Sequence, residues 1–295
     1  MSKDKNKTTA AAPEATTALA TQGTQEIGEA LDFGEDAGQG FENQGAADNL
    51  IPMWIVLQDL SPMVKERKAN AGDLYNTVTE DTIPGKTGVV MVPFLTEHAF
   101  VQWVSRKKGG GFKAKHAPTD TIVLEAIKRH AARPDAEFGK YTVSDEKDAD
   151  ELQETFYIYG AFWTREGRSL GYGLIPCKSM MIKPYKKLST RLRSFLVPRK
   201  DATGKVVGQV NPPLYANQVL VTSVQEKNTK GEFYNIAFGA LEGDMVKSLV
   251  ARGSERYEVA KNGYQMVKAG LAKMDYAGAE KAGDAGGGDS EAAPF

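Results

Sequence analysis

The sequence predicts a mainly β fold with added helices, an α+β body carried between disordered ends. Seven short apolar runs rich in aromatic and β-branched residues point to a sheet closed as a barrel or stacked as a sandwich. Apolar residues at helical spacing are confined to three stretches, so helices decorate the sheet and do not make the core. Both ends are of low complexity and too poor in large apolar side chains to fold.

In chain order, residues 1–48 read as a disordered arm of Ala, Thr, Gly, Gln and Glu in which nine acids outnumber three lysines. The body, residues 49–274, opens with the strand "IPMWIVL" (51–57), followed by "GVVMVPF" (88–94) and "FVQWVS" (100–105), each short and bounded by Gly, Pro, Asn or Asp. A helix is expected over 120–132, opened by an Asp120 cap and stopped by Pro134. The acidic stretch 133–154 reads as a surface excursion. "TFYIYGAFW" (155–163) and "SLGYGLIP" (169–176) form a hairpin through "TREGRS" (164–169). "KPYKKLSTRLRSFL" (183–196) is a helix with proline in its first turn and Leu188, Leu192 and Phe195 on one face. "YANQVLVTSV" (215–224) and "FYNIAF" (233–238) make a second hairpin through "EKNTKGE" (226–232). Residues 243–274 read as one or two helices, interrupted near Gly253 and Gly263. Residues 275–295 are a disordered, Gly-rich acidic tail that ends in a bare phenylalanine, Phe295.

Composition excludes several function classes. The single cysteine, Cys177, rules out an internal disulfide framework and a Cys-rich zinc site, fits a reducing cytoplasm and reads as a buried small residue. Three histidines (His98, His116, His130) leave little material for a metal cluster. No run approaches the roughly 18 apolar residues of a membrane span, so a soluble cytoplasmic protein is expected. "RKKGGGFKAK" (106–115) lacks the spacing of a phosphate loop, and neither a His-Glu metal motif nor a Gly-x-Ser-x-Gly elbow occurs. The expectation is a protein without catalytic residues or a cofactor.

Charge is where the sequence becomes specific. The net charge of -1 divides into about -6 on the first fifty residues and about -4 on the last twenty-one, which leaves +9 on the 224 residues between. Between Trp163 and Lys200 ten basic residues face one acid, Glu166. They include Lys178, Lys183, Lys186, Lys187, Arg191 and Arg193, with Tyr185 among them. The Glu partners of an ordinary solvated helix are missing at i,i+4 spacing. A second patch places Trp103 and Phe112 around Arg106, Lys107, Lys108, Lys113 and Lys115, next to three glycines that let the backbone bend closely around a ligand. Unpaired nucleic acid suits this mixture, because cations hold phosphate while exposed rings stack on bases at roughly 1–3 kcal/mol each. Trp103 lies in an alternating strand and reads equally as core.

The β-rich basic body followed by a Gly-rich acidic tail ending in "DSEAAPF" resembles the single-stranded-DNA-binding proteins of bacteria and bacteriophages. That resemblance implies an OB-fold core. It also implies a tail that recruits replication and repair enzymes and competes with DNA for the basic surface; Asp289, Glu291, Pro294 and Phe295 match its motif. Only two acids lie among the last seven residues, fewer than the usual acidic cluster, which weakens the competing role. The blocks "LIPMWIVLQDLSP" (50–62), "AGDLYNTVT" (71–79), "RKKGGGF" (106–112), "LYANQVLVTSV" (214–224) and "KGEFYN" (230–235) are also similar to a group of phage proteins of this length.

The expectation is thus an OB-like barrel with flanking helices that binds single-stranded DNA without strong sequence preference during phage replication or recombination, in the host cytoplasm. Trp103, Arg106, Lys107, Lys108, Phe112 and Lys113 would form one wall of its groove, and Lys183, Tyr185, Lys186, Lys187, Arg191 and Arg193 the other. Two alternatives stand beside it. One is a strand-annealing recombinase, for which the C-terminal helical region would serve assembly into a homo-oligomer. The other is a phage protein whose basic surface meets an acidic protein.

Overall fold

A proline splits the first apolar run. β1 (Leu50–Ile51) and β2 (Trp54–Val56) lie either side of Pro52, whose missing N–H cannot join a ladder. After a single helical turn, α1 (Pro62–Lys65), the chain returns through β3 (Leu74–Asn76) and β4 (Thr82–Ile83), and β2, β3 and β4 form a small antiparallel sheet. The computed structural model describes Gly40 and residues 50–131, 139–228, 231–270 and 273–274. All but Gly40 fall within one unit, Gly45–Phe295.

The frame of that unit is a pair of long strands. β5 (Val89–Trp103) leads through β6 (Phe112–His116), the helix α2 (Thr121–His130) and β7 (Lys140–Thr142) to β8 (Glu151–Trp163). β5 and β8 pair antiparallel from Val90 opposite Trp163 to Trp103 opposite Glu151. β9 (Ser169–Lys178) folds back on β8 as the expected hairpin. Then come the helix α3 (Ile182–Ser194), the ribbon β10 (Val197–Lys200) and β11 (Val206–Val210), the second expected hairpin β12 (Val219–Asn228) and β13 (Gly231–Ala240), the helix α4 (Glu255–Lys268) and β14 (Lys273–Met274). β14 pairs parallel with β1.

β12 and β6 share the outer edge of β5, and β9 and β7 share that of β8. One end of the sheet therefore runs β13-β12-β5-β8-β9 and the other β6-β5-β8-β7. The fold is mainly β with added helices. Among the described residues no pairing joins β13 to β9 or β6 to β7, so no closed barrel is found; the outer edge of β9 is met by a single parallel bridge from Met53 to Leu174.

Alternation along β5 and β8 makes two cores. Val90, Val92, Ala99, Val101, Tyr157, Tyr159 and Trp163 point to one side, where α4 and Ile51 and Met53 cover them. Met91, Phe156, Ile158 and Phe162 point to the other and lie beneath Ile182, Tyr185, Leu188 and Leu192 of α3. A smaller cluster joins Phe100 and Leu152 to Val123 and Ala126 of α2. Cys177 is buried, as its neighbours suggest.

Several boundaries differ from the expectation for physical reasons. The two strands expected at 88–94 and 100–105 are one, because the polar residues between them find partners: Glu97 accepts from the Tyr159 hydroxyl at 2.8 Å, and His98 stacks on Phe156 with ring centroids 4.2 Å apart. Pro93 is tolerated in this central strand because the register shifts between Pro93 and Leu95. The supposed surface excursion also contributes to the sheet: Lys140–Thr142 and the start of β8 pair with each other, and Gln153 is buried with its Nε2 donating to the Gly139 carbonyl at 3.3 Å. Residues 132–138 lie outside the described residues. At the C-terminal end one helix forms, starting after Gly253 and running through Gly263 without interruption. Of the ends read as disordered, 1–48 and 275–295, all but Gly40 lie outside the described residues, and so do Asp289, Glu291, Pro294 and Phe295.

Candidate nucleic-acid interface

The first basic patch is a hairpin tip. β5 ends at Trp103, Arg106–Lys108 form one 3-10 turn, and Gly109, Gly110 and Gly111 at φ 107°, 69° and 100° bring the chain back into β6. A side chain added at Gly109 or Gly110 would meet nothing within 4 Å. The glycines are therefore needed for their left-handed backbone and not for lack of room. Trp103 and Phe112 meet edge to face at 6.2 Å. Phe112 is exposed at 39%, whereas Trp103 is half-buried against the α4-side core, with its indole N–H buried and unbonded.

The cations of this patch are largely engaged by carboxylates. Lys113 Nζ lies 2.6 Å from Asp150 Oδ2, Lys107 Nζ 3.0 Å from Asp148 Oδ1, and Lys115 Nζ 2.8 Å from Glu97 Oε1. Asp150 is the structural centre of the group. It also accepts from Gln102 Nε2 at 2.8 Å and from the Ser105 amide at 3.4 Å. The Lys113 ammonium, followed by these donors, holds its carboxyl below the usual aspartate range against the opposing effect of burial. Lys108 has no ion-pair partner among the described residues.

The second patch is α3, and its charges are not matched. Ile182, Tyr185, Leu188 and Leu192 face the sheet at three- and four-residue spacing, which turns Lys183, Lys186, Lys187, Arg191 and Arg193 outward. The helix contains no acid, and none of these five exposed cations forms an ion pair with a described residue. Lys186 Nζ sits 5.6 Å from the centroid of the Phe156 ring, a cation–π contact that leans the ammonium over the sheet. Lys178, half-buried at the end of β9, lies just before the helix.

Two parts of the expected groove are corrected by these positions. Tyr185 is only 7% exposed and stacks on Phe156 at 4.5 Å, so its ring belongs to the core and cannot receive a base. The two patches also do not face one another as walls. Lys115 stands opposite Val101, and Trp103 packs on the same core, both on the α4 side of the sheet. α3 covers the other side. The sequence shows two basic stretches but not the sheet that separates them.

Beside α3 stand three cations that the expected groove left out: Arg199 and Lys200, already counted in the basic stretch that ends at Lys200, and Lys205, which lies beyond it. Arg199, Lys200 and Lys205 lie on or beside the β10–β11 ribbon, and none pairs with a described acid. A signal for the ribbon existed: "VPRK" and "VVGQV" are short β-branched runs around the turn "DATG". Among the described residues no three His, Cys, Asp or Glu side chains gather in a way that would hold a metal ion, and no helix is long and apolar enough to cross a membrane.

No curated protein and no solved structure matches the chain. A family model does, over residues 20–273, a span that takes in all of the long-stranded sheet, both basic patches and the four helices among the described residues. The chain belongs to a bacteriophage family, the Pam3 phage gp34-like proteins.

Proposed function

We propose that this phage protein binds single-stranded DNA, without marked sequence preference, along the outer face of α3. The observation that carries the reading is the helix itself, with five exposed cations, no acid and no ion pair to a described residue. A solvated structural helix gains a few tenths of a kcal/mol from each Glu–Lys pair, and α3 has none of them. Such an uncompensated row costs stability through self-repulsion unless a polyanion neutralises it. The reading rests on this helix and does not require a closed OB-like barrel. The Gly-rich hairpin tip with Phe112 is a secondary contact on the other side of the sheet, weakened by the carboxylates beside Lys107, Lys113 and Lys115. Docking of replication or recombination enzymes through Phe295 remains part of the proposal, on the likeness of the tail motif alone.

Fluorescence anisotropy of labelled single- and double-stranded oligonucleotides tests this at two salt concentrations. Tight binding to single strands that weakens steeply with salt is expected, and the double change Lys186→Glu, Lys187→Glu should lower affinity tenfold or more. Full affinity in that variant would remove α3 from the interface. Binding to neither oligonucleotide at low salt would favour an acidic protein partner.

A further inference from the structure

The ribbon that follows α3 is the most solvent-exposed regular element described. Residues 198–211 are exposed without a break, and β10 and β11 pair only with each other. Exposed on it are Val206 (55%), Val207 (53%) and Val210 (45%), with Leu196 (49%) at its base. A two-stranded ribbon is marginally stable alone, and leaving these side chains in water is unfavourable. The element is nevertheless firmly made. At the tip Asp201 accepts from the Thr203 amide at 2.8 Å, the Thr203 hydroxyl at 2.6 Å and the Lys205 amide at 3.1 Å. At the root Asn211 Nδ2 donates to the carbonyls of Leu192 at 2.7 Å, Arg193 at 3.3 Å and Phe195 at 2.8 Å. These are end carbonyls of α3 with no continuing helical turn to use them, so Asn211 both closes the helix and fixes the ribbon to it.

The charge on the ribbon continues that of the helix. Its one acid, Asp201, is engaged in its own turn, which leaves Arg199, Lys200 and Lys205 unmatched among the described residues. The same three charges oppose the edge-to-edge pairing with a second copy that an open ribbon otherwise invites. A partner must therefore be anionic and must also cover valines. Unpaired nucleotides offer both, phosphate for the cations and the apolar faces of unstacked bases for the valines, whereas a duplex keeps its base faces stacked.

We infer that the β10–β11 ribbon is a clamp that closes over a single strand lying on α3 and slows its release. This rests on the proposed binding to α3 and extends it to a second element with a separate kinetic role. The test is stopped-flow release of labelled oligothymidine from the full chain, compared with Arg199→Glu, Lys200→Glu, Lys205→Glu and with Lys186→Glu, Lys187→Glu. The ribbon variant should release the strand at least tenfold faster and lower the salt slope of log affinity by about 2, the value for three lost phosphate contacts on a single strand. The charge-keeping variant Arg199→Lys, Lys200→Arg, Lys205→Arg should release it at the wild-type rate. If the ribbon variant releases at the wild-type rate while the helix variant is weakened, the clamp is wrong and the helix reading stands. If the unmodified chain binds no oligothymidine, both fall. A change of oligomeric state in Val207→Lys, with release unaltered, would make the ribbon a self-association element and overturn the clamp.

Discussion

Asp150 decides how much of the charge on the glycine-rich hairpin is available to a ligand. Its side chain is 8% exposed and is held by Lys113, Gln102 and Ser105 together, so removing the charge leaves polar partners unsatisfied at about 1–3 kcal/mol. Its carboxyl titrates below its unfolded value, so the stability it contributes is complete above about pH 4 and is lost as pH falls through the lower folded value. Asp150→Asn should therefore be less stable than wild type in urea at pH 7, and the gap should close as the pH falls well below 4. A gap of equal size at both pH values would show that packing, not charge, makes the contribution. None of this was legible in the sequence, because Asp150 and Lys113 are 37 positions apart and meet only once β6 and the turn before β8 are placed at the same end of the sheet. The exposed cations of α3 were legible, because helical periodicity alone separates them from Leu188 and Leu192. The burial of Tyr185 was not, since an aromatic residue at the border of an apolar stripe faces either way until its neighbour, here Phe156, is known.

Among the elements, α4 shows how closely helix and sheet are fitted. A Cβ on Gly263 would lie 2.7 Å from Phe94 Cε1 and 2.7 Å from Tyr172 Cε1, and these two rings already meet edge to face at 6.1 Å. Gly263→Ala gains up to about 1 kcal/mol in helix propensity but overpacks this contact at about 1–3 kcal/mol. A net loss in thermal stability is expected, and a rise in melting temperature would show that the helix has room to move away from the sheet. The two long hairpins were readable because their turns and alternating strands are local features. The continuous β5 was not readable, since the partners of Glu97 and His98 come from β8, 56 to 62 positions away. The β10–β11 ribbon was overlooked for the opposite reason: it has no face to bury and so carries no alternation.

Across the whole molecule the dominant feature is the division of charge along the chain. A chain cut to residues 49–274 keeps every described strand and helix and carries about +9 where the full chain carries -1. It should be retained on a cation exchanger at pH 7 that the full chain passes through, and it should bind oligothymidine more tightly at low salt. Equal affinity for the two forms would show that the acidic ends act at too long a range to be felt at the basic face. The same architecture sets an order of opening. β5 and β8 are hydrogen-bonded along both edges at either end of the sheet, while β10 and β11 hold only each other. Amide hydrogens of the central pair should exchange with solvent only through global unfolding, and those of the ribbon through local fraying. Such a protein would keep a rigid plate at its centre and concentrate its motion in the ribbon that follows α3.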